Sequence, residues 1–338
     1  MVNNKVTIVM PCYNEGKYIK KAIESVLHQQ TSFNYQLVIT DDCSTDNSKE
    51  IILKYAKDNP EKITYIFSNT NTKLLSNIIR AIPYINTDYF CVLDADDYWT
   101  DYNYLERAYS FLEEHKDYSI YEENVKCLYE TNNSEKFFIE KSKKNNTFSI
   151  DDYFSNKIII SQNTGMFFRN KLFINGIPEI MTNAVNTFSE SSFRGDWDRF
   201  VMHLKFGKVY YCNKICGVYL IQDNGIWSSL NQPKRLLLAA QSYYDYNIYY
   251  DYKYNQIFIR FISETLIKIL EELKNGLLKK EYFDNKNQFY VQYSKLYEYV
   301  KLNGNNFTYE IERNKIKRAL KIFLKKLYKK IEKHIDYI

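Results

Sequence analysis

Residues 89–97 decide the fold, and they read Tyr-Phe-Cys-Val-Leu-Asp-Ala-Asp-Asp. An apolar run of this length predicts a short buried β-strand, and acids follow it at once. Asp94 and Asp96 are spaced so that one carboxylate can hold a ligand hydroxyl while the other takes a hard divalent cation. The competing interpretation is a solvated turn, in which Asp is common. The triplet alone leaves both interpretations open.

Strand and helix patterns alternate through the first hundred residues. Apolar, β-branched runs predict strands at 6–10, 35–40, 63–67 and 89–93. Apolar residues at helical spacing predict helices at 17–29, 44–57 and 72–82. This order predicts an α/β fold with a parallel sheet, in which ligands bind beyond the carboxyl ends of the strands. We therefore expect Pro11, Asp42, Asn69 and Asp94 to converge on one crevice.

Beyond residue 100 the pattern predicts a helix and then polar loops as far as about 150. Strand-like segments follow at 158–168 and 209–219, and residues 195–198 precede a helix that runs to about 206. After Pro233 the character becomes helical. We place a domain boundary near 230, which separates a first domain (1–230) from a helical C-terminal domain (231–338).

Three motifs carry a resemblance to a known family. They are residues 8–15 (Ile-Val-Met-Pro-Cys-Tyr-Asn-Glu), 38–46 (Val-Ile-Thr-Asp-Asp-Cys-Ser-Thr-Asp) and 92–97 (Val-Leu-Asp-Ala-Asp-Asp). In order and spacing, over roughly residues 5–230, the chain resembles a family 2 glycosyltransferase of the GT-A fold. The resemblance implies a Rossmann-like, mostly parallel sheet flanked by helices. It also implies a bacterial, inverting enzyme with a nucleotide-sugar donor.

The resemblance assigns nucleotide contacts to residues of the first two motifs. Pro11 and Tyr13 would line the nucleotide, with Tyr13 against the base, and Glu15 would lie near the ribose. Asp42 would accept a hydrogen bond from the uracil N3–H, which favours a UDP-sugar. The alternatives are ordinary packing for Tyr13, an acid in the first turn of a helix for Glu15, and a helix N-cap for Asp42.

In the third motif, the resemblance implies that Asp94 contacts the ribose. Asp96 would bind the metal, Mn²⁺ or Mg²⁺, that bridges the two phosphates. Asn69 and Lys73 are further nucleotide-binding candidates, although a solvated Lys73 is an equal alternative. The family usually carries an Ala-Arg-Asn triplet near this point, and Ser76 stands here in place of that Arg.

Asp196 is the candidate catalytic base. The family commonly has Glu-Asp before a helix at this site, and Gly195 replaces the Glu. A carboxylate within hydrogen-bond reach can take the proton from an acceptor hydroxyl that attacks the anomeric carbon, which gives one displacement with inversion. The alternative for Asp196 is a helix N-cap. Asp198, two residues on, is expected to face elsewhere.

Two departures from the family lie near the end of the first domain. The family often has Tyr-Arg-x-His, whereas residues 219–222 read Tyr-Leu-Ile-Gln. Leu220 replaces a basic residue, and Gln222 stands where a His often helps to bind metal or diphosphate. These changes leave open an altered metal dependence or weak activity. Trp227 either covers the site or is simply packed.

The C-terminal segment is strongly basic. The net charge is +5, yet ten Lys or Arg and one acid lie between Arg313 and Lys333. Apolar residues three or four apart predict a basic amphipathic helix there. Residues 313–335 either contact an anionic membrane surface, which suits a lipid-linked acceptor, or pack on the helical domain. A homodimer through the helical region is a further expectation, whereas nucleic acid is not an expected partner.

Composition bounds the compartment and the metal chemistry. The six Cys are scattered singly, which suits reduced thiols in the cytosol, and the four scattered His argue against a His-based zinc site. The first residues lack the pattern of a signal peptide, and no apolar run reaches about 18 residues. The expected location is the cytoplasm, at the inner face of the plasma membrane if the basic segment binds lipid.

These features predict an inverting glycosyltransferase that moves a hexose or N-acetylhexosamine from a UDP-sugar to a hydroxyl acceptor. The acceptor would be a bacterial surface glycan (O-antigen, capsule or lipid-linked oligosaccharide) or a glycoprotein. One alternative is a catalytically weak or non-catalytic sugar-nucleotide-binding module of the same fold. Another is a nucleotidyltransferase, which would carry a Gly-rich basic loop where residues 11–15 stand.

Overall fold

The computed structural model describes residues 3–140, 143–192, 195–222, 230–274 and 288–304. These residues fall into two compact units. The first holds the described residues up to 185 and from 195 to 222, and the second holds 186–192 and those from 230 onward. Residues 186–192 thus belong with the C-terminal helices, although they precede the last part of the first unit in sequence.

Ten strands among the described residues form one sheet in the first unit. They are β1 (Asn4–Cys12), β2 (Asn34–Asp41), β3 (Ile63–Phe67), β4 (Tyr89–Val92), β5 (Tyr98–Trp99), β6 (Tyr118–Tyr129), β7 (Glu135–Phe137), β8 (Asn146–Phe148), β9 (Met166–Arg169) and β10 (Lys208–Ile221). Their order is β3-β2-β1-β4-β9-β6-β10-β5, with β7 beside β6 and β8 beside β10.

The sheet changes character at β9. The first four strands run parallel, as the sequence predicts, whereas β9 is antiparallel to both β4 and β6. β6 and β10 are again parallel to each other. The predicted α/β architecture is confirmed, with its parallel part on the side of the first four strands.

Helices flank the sheet in the first unit and make up the second. In the first unit they are α1 (Ile19–Leu27), α2 (Ser48–Asp58), α3 (Lys73–Ala81), α4 (Tyr104–Glu114), α5 (Ile150–Phe154), α6 (Glu179–Thr182) and α8 (Asp196–His203). In the second unit they are α7 (Phe188–Ser192), α9 (Gln232–Tyr249), α10 (Asn255–Lys274) and α11 (Gln288–Asn303).

Apolar spacing explains why these elements pack as they do. Ile19, Ala22, Ile23 and Val26 recur at helical intervals on α1, and all four are fully buried in the core that includes β1. Each fully buried aliphatic side chain of this size contributes roughly 1.5–3 kcal/mol to folding. The second unit has its own core, formed by apolar residues of α9, α10 and α11.

β6 corrects the expectation that residues 100–150 are helical and then polar loops. Glu122, Glu123 and Asn124 lie in the middle of this strand, and each is fully buried. Consecutive polar residues are typical of loops, but here each has a partner: Ser161 N donates to Glu122 (2.8 Å), and Asn124 bonds the backbone of Ile139. Because these partners come from distant segments, local sequence did not reveal the strand.

Arg107 neutralises Glu123 within this strand. Its Nε and Nη2 donate to the two carboxylate oxygens at 3.0 and 2.9 Å, and the Tyr121 hydroxyl also donates, at 2.6 Å. We expect Arg107→Met to lower the free energy of unfolding by about 3–5 kcal/mol, because it leaves a buried carboxylate without its cation. Urea denaturation measures this. Adding Glu123→Gln to Arg107→Met should recover part of the loss, and a double variant no more stable than the single one would contradict this explanation.

Two further findings concern the helices and the cysteines. None of the helices among the described residues combines the length and apolar character that crossing a bilayer requires. All six Cys fall within the described segments, and none forms a disulfide.

Candidate functional site

The loops after β1 and β2 are joined by hydrogen bonds. The amide N of Asn14 donates to Ser44 Oγ (2.8 Å), and the amide N of Thr45 donates back to Asn14 Oδ1 (2.8 Å). The amide N of Glu15 donates to Ser48 Oγ (2.9 Å). The first two motifs therefore form one connected surface at the carboxyl ends of adjacent parallel strands.

Two residues in these loops have a left-handed backbone conformation. Asn14 and Cys43 have φ values of +56° and +66°, in the left-handed region. Asn tolerates this region better than most residues, because its side chain can bond locally. Cys43 has no such aid, so its backbone is held by neighbours, including Asp41, whose carboxylate accepts from Ser44 N (3.0 Å).

Asp42 is held by the loop and helix that follow β3. It is 2% exposed, and its carboxylate accepts from Thr72 N (2.9 Å) and Thr72 Oγ1 (2.7 Å), as well as from Arg80 Nη2. Among the described residues Oδ2 accepts one bond, from Thr72 N, and a carboxylate oxygen can accept a second. Asp42 is not a helix cap, because α2 begins after Asn47.

Arg80 is a further candidate site residue, which no sequence motif indicated. It lies four residues after Ser76, and residues four apart share one face of a helix. The guanidinium thus reaches the Asp42 carboxylate although the residue that replaces the family's Arg is Ser76. The signal that could have found it is its position one helical turn further along α3.

Asn77 ties α3 to the sheet. Its Nδ2 donates to the carbonyl oxygens of Cys12 (3.3 Å) and Thr40 (3.0 Å), at the ends of β1 and β2. The side chain is buried at 3% exposure. α3 is therefore anchored to the strands whose loops carry the first two motifs.

The three acids after β4 divide into two kinds. Asp97 is fully buried, and its carboxylate accepts from Thr164 Oγ1 (2.6 Å), Gln162 Nε2 (3.1 Å) and Leu220 N (2.9 Å). It is a structural group that joins β4 to β10. Asp94 and Asp96 are only partly buried, so this pair remains the candidate for ligand contact.

Each member of this pair receives one amide hydrogen bond. Asn163 Nδ2 donates to Asp94 Oδ2 (3.1 Å), and Gln222 Nε2 donates to Asp96 Oδ2 (2.9 Å). Gln222 also hydrogen-bonds to Glu15. The predicted nucleotide residue Glu15 and the predicted metal ligand Asp96 are thus brought together through one side chain.

Carboxylates crowd this region. Burial raises the pKa of Glu15 to about 8, and the charges of Asp96, Asp46 and Asp94 add to the rise while Gln222 opposes it. Burial and the neighbouring Asp94 charge likewise raise the pKa of Asp96 to about 6. The cluster lacks enough positive charge to keep its acids ionised without cost, so a cation would be attracted to it.

Asp196 begins α8, directly after Gly195. Its Oδ1 accepts from the amide N of Trp197 (2.7 Å), and the side chain is partly buried. Gly195 is the N-cap residue, with φ +69° and ψ −77°, so the N-cap alternative for Asp196 is wrong. L side chains rarely adopt that backbone conformation, which is a physical reason for Gly where the family commonly has Glu.

The hydroxyl of Tyr219 is influenced both by the acids after β4 and by Asp196. Burial raises the pKa of its hydroxyl, and the charges of Asp97, Asp94, Asp96 and Asp196 all add to the rise. The β4 acids and the candidate base therefore act electrostatically on one phenol. Asn163, which contacts Asp94, also bonds Arg199 of α8, the helix that Asp196 begins, so Asp196 and the acid pair belong to one region of the first unit.

Arg199 is a buried cation beside this region. It is 1% exposed, and its Nη2 donates to Asn163 Oδ1 (2.6 Å). Burial lowers its pKa, while the carboxylates of Asp196, Asp94 and Asp198 oppose the fall. No sequence pattern singled it out, because its importance lies in what surrounds it.

The remaining predicted residues have simpler environments. Pro11 is buried within β1, paired with Thr40 of β2, and the Tyr13 ring is 44% exposed, as stacking on a ligand would require. Asn69 and Lys73 are both exposed, in the loop after β3 and at the start of α3. Leu220 is buried.

Some predictions fall outside the described residues. These are Trp227 and the basic segment 313–335. Within the described part of the chain, no three His, Cys, Asp or Glu side chains are already arranged to hold a metal ion.

Comparison with known proteins supplies independent findings. A family model described as glycosyl transferase family 2 matches residues 7–176, half of the chain. Over 230 residues the chain is 26% identical to an uncharacterised protein of Mycobacterium tuberculosis, a match covering 68% of this chain and 62% of that protein. The chain thus spans less than two thirds of that relative's length.

The chain is also similar to a named glycosyltransferase and to a solved structure. Over 110 residues the chain is 32% identical to the putative teichuronic acid biosynthesis glycosyltransferase TuaG of Bacillus subtilis, covering 32% of this chain and 42% of TuaG. Residues 1–349 of Staphylococcus aureus TarS in complex with UDP superpose with a TM-score of 0.57 at 15% identity, covering 93% of this chain and 88% of TarS. At that identity the structural likeness concerns the fold alone.

Proposed function

Because the chain belongs to glycosyltransferase family 2, we propose that it transfers a hexose or N-acetylhexosamine from a UDP-sugar to a hydroxyl of a bacterial surface glycan. The observation that carries this proposal is the link from Asp94 through Asn163 to Arg199, which places the acids after β4 beside α8, the helix that begins at Asp196. Acids at the end of a parallel strand can bind the donor, while a separate carboxylate serves the acceptor. The likeness to TuaG supports a surface glycan as the acceptor.

The pair of Asp42 and Arg80 supports uridine as the base. A carboxylate accepts the N3–H of uracil, and a guanidinium donates to a uracil carbonyl beside it. In cytosine N3 carries no hydrogen and an amino group replaces O4, so the contact with Asp42 would fail, as would a contact between Arg80 and O4. The likeness of fold to TarS, whose structure was solved with UDP, agrees with this preference.

Arg80→Leu should therefore weaken UDP binding by about 10- to 100-fold, which is the loss expected for a hydrogen bond to a charged group. Isothermal titration with UDP and CDP measures this. Ser76→Ala on the same helix is the matched control and should bind UDP like the wild type. Arg80→Leu should also bring the affinities for UDP and CDP closer together, and an unchanged ratio would exclude Arg80 from base recognition.

A divalent cation fits the donor set at Asp96. The candidate ligands, Asp96 and the neighbouring Glu15, are oxygen donors, which Mg²⁺ and Mn²⁺ prefer. Burial, with a smaller contribution from the neighbouring carboxylates, raises the pKa values of both acids, and a bound cation would favour their ionised forms. When bound, the cation would neutralise charge on the diphosphate leaving group. Gln222 would orient both carboxylates through its amide.

Asp196 would act as the general base. Its carboxylate accepts a proton from the acceptor hydroxyl as that oxygen bonds to the anomeric carbon and the bond to the diphosphate breaks. Attack from the face opposite the leaving group inverts the anomeric configuration. Its existing bond from Trp197 N holds one carboxylate oxygen, which orients the side chain for this step.

The substitutions at Leu220 and Gln222 favour one alternative, a sugar-nucleotide-binding module with weak or no catalysis. Leu220 carries no charge and is buried, so it cannot replace a basic residue in contacting a diphosphate. A release assay separates the two functions: purified protein is incubated with Mn²⁺ and a panel of UDP-, GDP- and CDP-sugars, and free nucleotide is measured. Metal-dependent release from a UDP-sugar supports the transferase, whereas binding without release supports the module.

A further inference from the structure

Asn163 connects two elements of the site through one amide group. It opens the 3₁₀ turn Asn163–Gly165 and is 3% exposed. Its Nδ2 donates to Asp94 Oδ2 at 3.1 Å, and its Oδ1 accepts from Arg199 Nη2 at 2.6 Å. The side chain of Arg199 on α8 is thereby linked to the carboxylate that follows β4.

Arg199 decides which way this amide points. An arginine side chain only donates hydrogen bonds, so the amide oxygen of Asn163 must face it. The NH₂ group is then forced toward Asp94, whose carboxylate only accepts when it is ionised. A neutral group in place of Arg199 would allow either orientation, and one of these would set two acceptors against each other.

The protein keeps this guanidinium buried although burial of a charge is costly. Its Nε and Nη1 have no hydrogen-bond partner among the residues that the structure describes. Arg199 is bonded to the same amide, that of Asn163, that contacts Asp94. An effect on the Asp94 carboxylate explains why this buried cation is kept.

We propose that Arg199 and Asn163 are positioning residues that hold Asp94 in the orientation required for donor binding. Asn163 occupies Oδ2 of Asp94, which leaves Oδ1 to accept a hydroxyl of the donor nucleotide. The inference rests on the proposed function, since the group that Asp94 would meet is the ribose of UDP. It adds two residues that act through Asp94 and do not themselves touch substrate.

Asn163→Asp tests this proposal. The new carboxylate keeps a partner for Arg199, so the thermal unfolding midpoint should stay within a few degrees of the wild type. It has no N–H for Asp94 and repels that carboxylate. We therefore expect the Kd for UDP, measured by titration in Mn²⁺, to rise by about 10- to 100-fold.

The same substitution in an Asp94→Asn background provides the matched control. In that double variant the amide introduced at position 94 can donate its own N–H to the carboxylate introduced at position 163. The hydrogen-bonded chain is thus restored with the two groups exchanged. Adding Asn163→Asp to Asp94→Asn should therefore change the Kd by less than about twofold. A merely structural role for Asn163 predicts the same fold-loss in both backgrounds, and that result would overturn the proposal.

The experiment also distinguishes a folding defect in the variant, a wrong positioning role and a wrong proposed function. If Asn163→Asp does not unfold cooperatively, the same comparison is made with Asn163→Ser, which removes the link without adding charge; a loss of affinity only when Asp94 is present supports the proposal. Wild-type UDP affinity in the single variant refutes the positioning role and leaves the proposed function standing. Failure of the wild type to bind UDP refutes the proposed function itself.

Discussion

Asp196→Asn is expected to lower the transfer rate by about 10²- to 10⁴-fold while leaving the Kd for UDP within about twofold of the wild type. The amide keeps the size of the side chain, and its oxygen can still accept the bond from Trp197 N. It cannot take a proton from an attacking hydroxyl at neutral pH. The measurements are sugar transfer, or hydrolysis to water if no acceptor is found, together with UDP titration.

Asp198→Asn is the matched control for this prediction. Asp198 lies on the same helix and is buried at 3% exposure, so it faces the interior rather than an acceptor. The substitution removes the same charge from the vicinity of Arg199, and we expect most transfer activity to remain. Full activity in Asp196→Asn, or an equal loss in both variants, would refute the assignment of the base.

Asp96→Asn is expected to remove the metal-dependent part of donor binding, a loss of roughly 100-fold in UDP affinity with Mn²⁺ present. In EDTA the variant should bind UDP like the wild type, because Asp96 acts through the cation. Titration of UDP in Mn²⁺ and in EDTA measures both quantities. The amide variant avoids the extra space that an Ala would leave beside Gln222.

Asp94→Asn is the matched comparison, since it changes the same group two residues away. It should weaken UDP binding in EDTA as well as in Mn²⁺, because its proposed contact is with the ribose. The two variants would then differ in metal dependence although both remove one charge. Identical responses to Mn²⁺ would mean that the division of roles between the two acids is wrong.

The same carboxylates predict an unusual pH dependence. Folding raises the pKa of Asp96 from 3.8 to about 6 and that of Glu15 from 4.5 to about 8, so the folded chain holds these protons more tightly than the unfolded chain. Stability from these groups is therefore present at low pH and lost as pH rises through this window. Mn²⁺ should offset the loss, because it binds the ionised forms. Unfolding midpoints between about pH 5 and 8, with and without Mn²⁺, measure this effect, and Glu15→Gln should reduce it.

Much of the parallel half of the sheet follows from local sequence. Burial selects apolar residues, and they therefore form continuous runs in β1 to β4 and recur at helical spacing in α1 to α3. Both patterns can be recognised in the sequence alone. The acids after β4 were identifiable for the same reason, since polar residues at the end of a buried strand stand out. The family motifs then favoured a nucleotide-sugar site over an ordinary turn.

Other features depend on residues that are distant in sequence. β6 was not predicted because Glu122, Glu123 and Asn124 are polar, and their burial depends on partners from distant segments, namely Ser161, Arg107 and the backbone of Ile139. The consequence of Gly195 was equally hidden, since a positive φ is a property of the folded backbone. Local pattern carries no information about partners of this kind.

By itself, the sequence determined that acids would follow a buried strand. It also identified the candidate site residues Asp42, Asp94, Asp96 and Asp196. Only the tertiary structure decided that Asp97 is a core group, that Arg80 contacts Asp42, and that Asn163 links Arg199 to Asp94. The physical reason is that burial leaves a periodic trace along a strand or helix. A hydrogen bond between distant residues leaves none.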